Sequence, residues 1–359
     1  DQTFKLDINW QANHTHSIKT GLHYFNHDLK NEWYEIRNEF YNSGSDSAYA
    51  PEIFGDSSAY ADVYSISPKE VAFYIQDKME FDDMVINVGV RYDQFDPESV
   101  YPSDRRNPAN QLILPDSMMS LYPQAPVISQ ISPRVGFAYQ LGGQAVLHFS
   151  YGHFFQMPPM YAMYQNNSFL VDPNNFVTRM GNTLLEPEKT ITYEIGLWQE
   201  LNQVMALDVA LFYRDIYNLL TTKTISTYNQ VKYGLYSNKD YGNVRGLELK
   251  LDLALGQLKG MVNYTLQYTR GNADSPGQTF DRAGNNQDPV NRFIPMGWDQ
   301  RHTLNGSLIY GTEKYGGSMT AYYNSGSPYT FTPQSESVLS RINLYPNNDY
   351  RPEKYSVDC

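Results

Sequence analysis

The chain has 359 residues, 41% of them hydrophobic, and a formal net charge of −12. Such acidity argues against nucleic acid as a partner, because displacing phosphate counterions requires a basic surface. No stretch approaches the roughly 18 uninterrupted apolar residues of a spanning helix, so the chain can cross a bilayer only with strands.

Twelve strands are predicted in chain order, at 2–10, 17–26, 70–81, 84–95, 132–141, 144–155, 190–201, 203–215, 244–255, 258–270, 300–311 and 315–325. Most have the roughly 9–11 residues of a tilted membrane-crossing strand. Short connections fall at 11–16, 82–83, 142–143, 202, 256–257 and 312–314. Long ones fall at 27–69, 96–131, 156–189, 216–243 and 271–299, with another after 326. This strict alternation of short turns and long loops is the habit of outer-membrane barrels. Gly142-Gly143 and Gly256-Gln257 supply the positive φ of tight hairpins. No helical stripe and no domain linker interrupt the pattern.

Residues 246–255 show the side-chain period best. Leu247, Leu249, Leu251, Leu253 and Leu255 share one face, while Glu248, Lys250, Asp252 and Ala254 share the other. The polar face, with Asp208 and Arg214 from the preceding strand, is expected to line a lumen, and the leucines to meet outer-membrane lipid. The 31 tyrosines, against 17 Phe and 4 Trp, suit a membrane interface, where a ring is buried and its hydroxyl stays wet. A tyrosine-rich soluble β protein is the plainer alternative. Tyr355-Ser356-Val357-Asp358 begins a thirteenth strand. No signal peptide opens the chain, so its N-terminus is expected to be a cut rather than a natural start.

Few motifs carry chemistry. The chain has no P-loop, no dinucleotide fingerprint and no Gly-x-Ser-x-Gly, and no enzymatic activity is expected. The single cysteine, Cys359, offers neither a disulfide framework nor a metal site. His14 with His16, and His23 with His27, share strand faces but read best as solvated polar positions, so no metal site is expected. The segment 274–288, with Asp274, Asp281, Asn285, Asn286 and Asp288, offers oxygen ligands for Ca2+ without the spacing of a calcium loop; beyond that weak signal no cofactor is expected. The loop 154–167 mixes aromatics, methionines and amides of the kind an amphipathic ligand uses. Phe154, Phe155, Tyr161, Tyr164, Asn166 and Asn167 are therefore the candidate ligand contacts, assisted by Arg292 and Trp298. The rival reading is girdle and loop-packing residues.

A series of short motifs then resembles, in order, the β-barrel of TonB-dependent outer-membrane receptors of the Bacteroidetes-like type. Ser132-Pro133-Arg134-Val135-Gly136-Phe137-Ala138-Tyr139 and Leu147-His148-Phe149-Ser150-Tyr151-Gly152 look like its central hairpin. Leu185-Glu186-Pro187-Glu188-Lys189-Thr190, Phe212-Tyr213-Arg214-Asp215, Asn243-Val244-Arg245-Gly246, Asp299-Gln300-Arg301-His302 and Ser325-Gly326-Ser327-Pro328-Tyr329 follow.

The resemblance implies an all-β antiparallel transmembrane barrel, with residues 1–359 as 12–13 strands of a 22-stranded whole. It also implies that the N-terminal plug, the early strands and the last strands are missing from this chain. The implied function is active import of a nutrient such as a siderophore or an oligosaccharide across the bacterial outer membrane. Energy would come through the TonB-ExbB-ExbD system acting on the plug, with a surface lipoprotein as a further partner. A passive porin or surface-binding barrel, and an outer-membrane hydrolase barrel, are the alternatives.

Overall fold

Alternating residues become strands here because each one has two different solvents to satisfy. The structure, a computed structural model, describes residues 1–38, 50–173, 178–273, 275–287, 290, 292–331 and 346–359, with the backbone alone at 239 and 240. Thirteen strands form one antiparallel path. They are β1 (Gln2–Gln11), β2 (His16–Asn26), β3 (Lys69–Glu80), β4 (Met84–Asp96), β5 (Ile128–Leu141), β6 (Ala145–Gln156) and β7 (Glu188–Asn202). The path continues with β8 (Met205–Ser226), β9 (Lys232–Leu255), β10 (Leu258–Gly271), β11 (His302–Gly311), β12 (Gly316–Asn324) and β13 (Lys354–Asp358). Every predicted strand is present, including the thirteenth, and β1 and β13 end the path.

One parity runs through the ladder up to the outer ends of β8 and β9. Asp7 faces Gly21, Gly21 faces Tyr74, Tyr74 faces Arg91 and Arg91 faces Ser132. Further along, Arg134, Gly152, Thr192, Arg214 and Val244 form one row. Glu248, Lys250 and Asp252 pair with Ala210, Asp208 and Ala206, and so share the face of Arg214. This polar face lines a concave cavity. The opposite face exposes Phe4, Leu6, Ile8 and Trp10 of β1, Phe73 and Ile75 of β3, and Ile195 and Leu197 of β7. On β8 the outward residues Met205 to Tyr213 span about 27 Å of strand. At a tilt of ~40° that rises roughly 20 Å, close to the ~25 Å apolar band of an outer-membrane barrel.

The turns behave as their composition requires. Gly142 (φ +63°) and Gly256 (φ +59°) occupy the left-handed region that glycine enters without a Cβ clash.

Among the described residues, three differences of the long connections from expectation bear on the site. First, 216–243 is not an irregular loop: β8 and β9 extend their ladder to Ser226 and Lys232, closed by a turn in which Thr227 N–H donates to Val231 O at 2.8 Å. Register shifts between Ile216, Leu219 and Leu220, with Asn218 at φ +60°, throw the alternation out of phase and hide the continuation. Second, β5 begins at Ile128, ahead of the predicted start at 132. Third, two short helices occur, α1 (Met160–Tyr164) and α2 (Gln278–Gly284), each too short to show a periodic stripe.

Among the described residues, the packed apolar clusters centre on these outer segments. Ile66, Phe95, Ala162, Met163, Tyr164, Leu185, Leu220 and Tyr236 form one cluster. Phe169, Val171, Met180, Tyr233 and Leu235 form a second. A barrel wall has lipid on one side and a wet lumen on the other, so a closely packed core can form only where the loops fold over one another.

Candidate functional site

The cavity holds about 910 Å³ and is lined chiefly by the polar parity of β1 to β8. Its size falls within the range of small-molecule sites. Asp7 accepts a hydrogen bond from the Tyr74 hydroxyl at 2.6 Å and lies 3.3 Å from His23 Nε2. Arg91 is held by Asp93 at 2.8 Å. Arg134 instead stacks its guanidinium over the Phe154 ring, 4.6 Å from the centroid, and Arg214 lies 4.9 Å over Phe212. Neither Arg134 nor Arg214 has an ion-pair partner among the described residues. They stand in one row, separated by Gly152 and Thr192, about 14 Å apart by strand spacing. Small residues between two free guanidiniums leave a trough suited to a ligand that carries negative charge.

The outer loops lock together. Tyr233 donates to Arg105 O at 2.7 Å, and Tyr228 to Asp104 Oδ2 at 2.8 Å. Gln111 exchanges two hydrogen bonds with the backbone of Val171. Asn182 receives Arg105 Nη2 at 3.0 Å and donates to Tyr236 O at 2.9 Å. At Gly181 a Cβ would meet the Met163 carbonyl oxygen at 2.6 Å, so only glycine lets this chain pass over α1. Burial pushes the Tyr164 hydroxyl above the usual phenol range and lowers the Arg105 guanidinium from its ordinary value. Burial likewise raises the Asp62 carboxyl, against the pull of the Asn166 and Asn167 backbone N–H groups.

The eight residues expected to contact ligand do not form one group. Phe154 projects into the cavity, while Phe155 lines a smaller recess of about 330 Å³ beside it, with Arg91 and Met157. Tyr161 is 48% exposed and meets Tyr236 edge-on at 5.7 Å. Tyr164 is 1% exposed, packs in the loop cluster, and donates its hydroxyl to Pro97 O at 3.0 Å. Asn166 is used locally, bonding Leu170 O at 2.7 Å, and Asn167 Oδ1 accepts from Ser99 at 3.5 Å. Trp298 is 52% exposed in the turn before β11, and Arg292 is exposed upstream of it.

The histidines of the two pairs find acids instead: His16 with Asp77, His23 with Asp7, and His27 with both Glu70 and Asp1. In the segment considered for Ca2+, Asp281 is paired with Arg179 at 2.6 Å, and Asn285 bonds back to Asp281 O. Asp274 and Asp288 lie outside the described residues. Sequence reasoning missed Arg91, Arg134, Tyr74 and Glu194 as cavity residues. Their signal was present, since each holds the polar parity of its strand, but it needs the register between strands to become a site.

A polar concave wall, an apolar outer wall and loops folded over one end define an outer-membrane barrel of the receptor class. Residues 1–352 match the family model described as TonB dependent receptor-like, beta-barrel, and the chain belongs to that family and to the bacterial outer membrane. No curated protein matches it in sequence. Among solved structures it is similar to the outer membrane transporter YddB from Escherichia coli, at 13% identity and a TM-score of 0.63, covering 99% of this chain and 46% of that one. The siderophore receptor PirA from Acinetobacter baumannii gives 13% identity and a TM-score of 0.62 over 99% and 46%. The FrpB iron transporter from Neisseria meningitidis gives 13% and 0.60 over 98% and 46%. The chain thus spans less than half the length of these structures, and the likeness concerns the fold.

Proposed function

We propose that this chain is the barrel wall of an energised importer, which captures a nutrient at its outer loops and passes it along the polar trough. The observation that carries this reading is the parity that keeps polar side chains of β1 to β8 on the concave wall, with packed outer loops at the end away from the tight turns. A transported solute needs such a wall, and the opposite face satisfies lipid. The free guanidiniums of Arg134 and Arg214 favour an anionic ligand of the ferric siderophore kind over a neutral oligosaccharide. The TonB-ExbB-ExbD system, acting through a plug, is the energy source this reading implies, with a surface lipoprotein as a further partner.

The test is uptake of radiolabelled ferric catecholate and of a labelled neutral oligosaccharide by cells with and without the full-length gene. Loss of ferric catecholate uptake on deletion, and its abolition by a protonophore, is expected. Uptake that survives the protonophore would indicate a passive porin. Dependence of the oligosaccharide alone would reverse the ligand assignment.

A further inference from the structure

At the outer ends of its strands the outward wall gains polar residues, and on β8 to β10 these include two arginines. At the outer ends of β8, β9 and β10 the register aligns Tyr213, Arg245 and Tyr268 in a single outward row. The next row away from the turns aligns Asp215, Asn243 and Arg270. Directly below lie Leu211, Leu247 and Leu266, the top of the apolar band in these strands. Arg245 and Arg270 are both exposed. Neither has an ion-pair partner among the described residues. Arg301 stands beside them, between the rings of Tyr268 (5.1 Å) and Tyr350 (4.9 Å), and donates to the Tyr350 hydroxyl at 2.6 Å.

Among the described residues two carboxylates face this group, and both are hydrogen-bonded. Asp299 is 1% exposed, accepts the Thr269 backbone N–H at 2.7 Å and lies 3.5 Å from Arg301 Nε. Asp215 accepts from the Tyr241 hydroxyl and the Asn243 amide. Two exposed guanidiniums, Arg245 and Arg270, therefore stand on the outward face of a chain whose net charge is −12, with Arg301 ion-paired to Asp299 at the rim. Their height matters: one row above the leucines, among tyrosines, is the level of lipid head groups. Arginine keeps its stem on apolar surface while its planar fork reaches outward, and that fork matches a phosphate.

We propose that Arg245 and Arg270 bind the phosphate groups of a phosphorylated glycolipid of the outer leaflet. Charge complementarity and continuity with the apolar wall select this occupant: its acyl chains lie against Leu247 and Leu266 while its phosphates meet the arginines. The assignment rests on the long connections facing the cell exterior, and it needs no ligand transport.

The experiment uses the full-length receptor in detergent, titrated with bisphosphorylated lipid A and read by native mass spectrometry. A one-to-one complex is expected. The double variant Arg245→Gln/Arg270→Gln should weaken it roughly tenfold or more, the scale of losing charge-assisted bonds, while the luminal control Lys250→Gln leaves it unchanged. Lipid A stripped of phosphate should bind wild type as weakly as the intact lipid binds the double variant. Heat-modifiable migration on gels verifies that each variant is folded. Equal retention by wild type and double variant, or equal binding of the stripped lipid, overturns the proposal. So does a dimer that falls to monomer in the double variant, which would make a second copy the occupant. Displacement of the lipid by millimolar inorganic phosphate would identify a free-phosphate site and overturn it as well.

Discussion

Leu249 and Asp252 lie three positions apart on β9 and belong to different solvents. Leu249 pairs with Val209 and Tyr264 on the outward wall, whereas Asp252 pairs with Ala206 and Met261 on the inner one. Leu249→Lys should therefore cost about 2–4 kcal/mol in the folding equilibrium of the refolded receptor, the depth-dependent cost of a charge at mid-bilayer. Asp252→Lys loses an exposed ion pair with Lys250 and should cost less than ~1 kcal/mol. Equal costs in urea titrations would mean that the wall is reversed. In the loop core, Tyr164→Phe removes one buried hydrogen bond and should cost about 1 kcal/mol. Tyr161→Ala, at an exposed ring, should leave stability unchanged and act only on ligand affinity.

Asp62 supplies a pH dependence at the same scale. Its folded pKa is raised above the ordinary aspartate value of 3.8, mainly because burial disfavours the charge. A raised carboxyl contributes stability that is fully present below the unfolded pKa and is lost as pH rises through the folded one. The contact between segment Ala61–Ile66 and the loop after α1 should thus be firmer at mildly acidic pH than at neutral pH. Proteolysis of this loop should accelerate as pH rises through that window, and Asp62→Asn should flatten the profile. A rate that falls with rising pH in wild type, beyond the protease's own dependence, would contradict the assignment.

At the scale of elements, the hairpin is the unit, and its two ends obey different rules. The inner turns are two to four residues long, and two of them depend on a left-handed glycine, Gly142 or Gly256. Gly256→Val places a β-branched residue at φ +59° and should destabilise the β9–β10 hairpin by at least ~1 kcal/mol, visible as slower refolding of the barrel band. The outer ends carry the packed clusters. Protease added to intact cells should cut only in outer segments and spare Gly142 and Gln257, because every second connection of an antiparallel path lies on the same side. Cleavage at those turns in sealed cells would invert the topology.

The elements also show where legibility stops. Strands β1 to β7 could be read to within a few residues because their alternation is in phase throughout. The outer half of the β8–β9 hairpin could not, since the irregularity around Asn218 shifts the inward set by one position. Short α1 was invisible for another reason: five residues make little more than one turn, and a single turn has no period.

For the whole molecule, the cavity is the property that matters, and it exists only because many strands bring single residues to one face. Gly136 lines it, and a Cβ there meets nothing closer than 3.6 Å. Gly136→Trp should therefore fill part of the trough without disturbing the ladder. Uptake of the transported ligand should fall several-fold while heat-modifiable migration is kept. Unchanged uptake would place the route elsewhere in the barrel. The sequence by itself determined the wall: period two decides which residues face lipid, and turn chemistry decides which ends are tight, both being local consequences of backbone geometry. Tertiary structure alone decided the site. That Arg134 stands in register with Arg214, that Tyr164 is sealed beneath neighbouring loops, and that Arg245 and Arg270 meet at the lipid edge depend on residues far apart in the chain. Their proximity is set by strand pairing and loop packing, which no local pattern encodes.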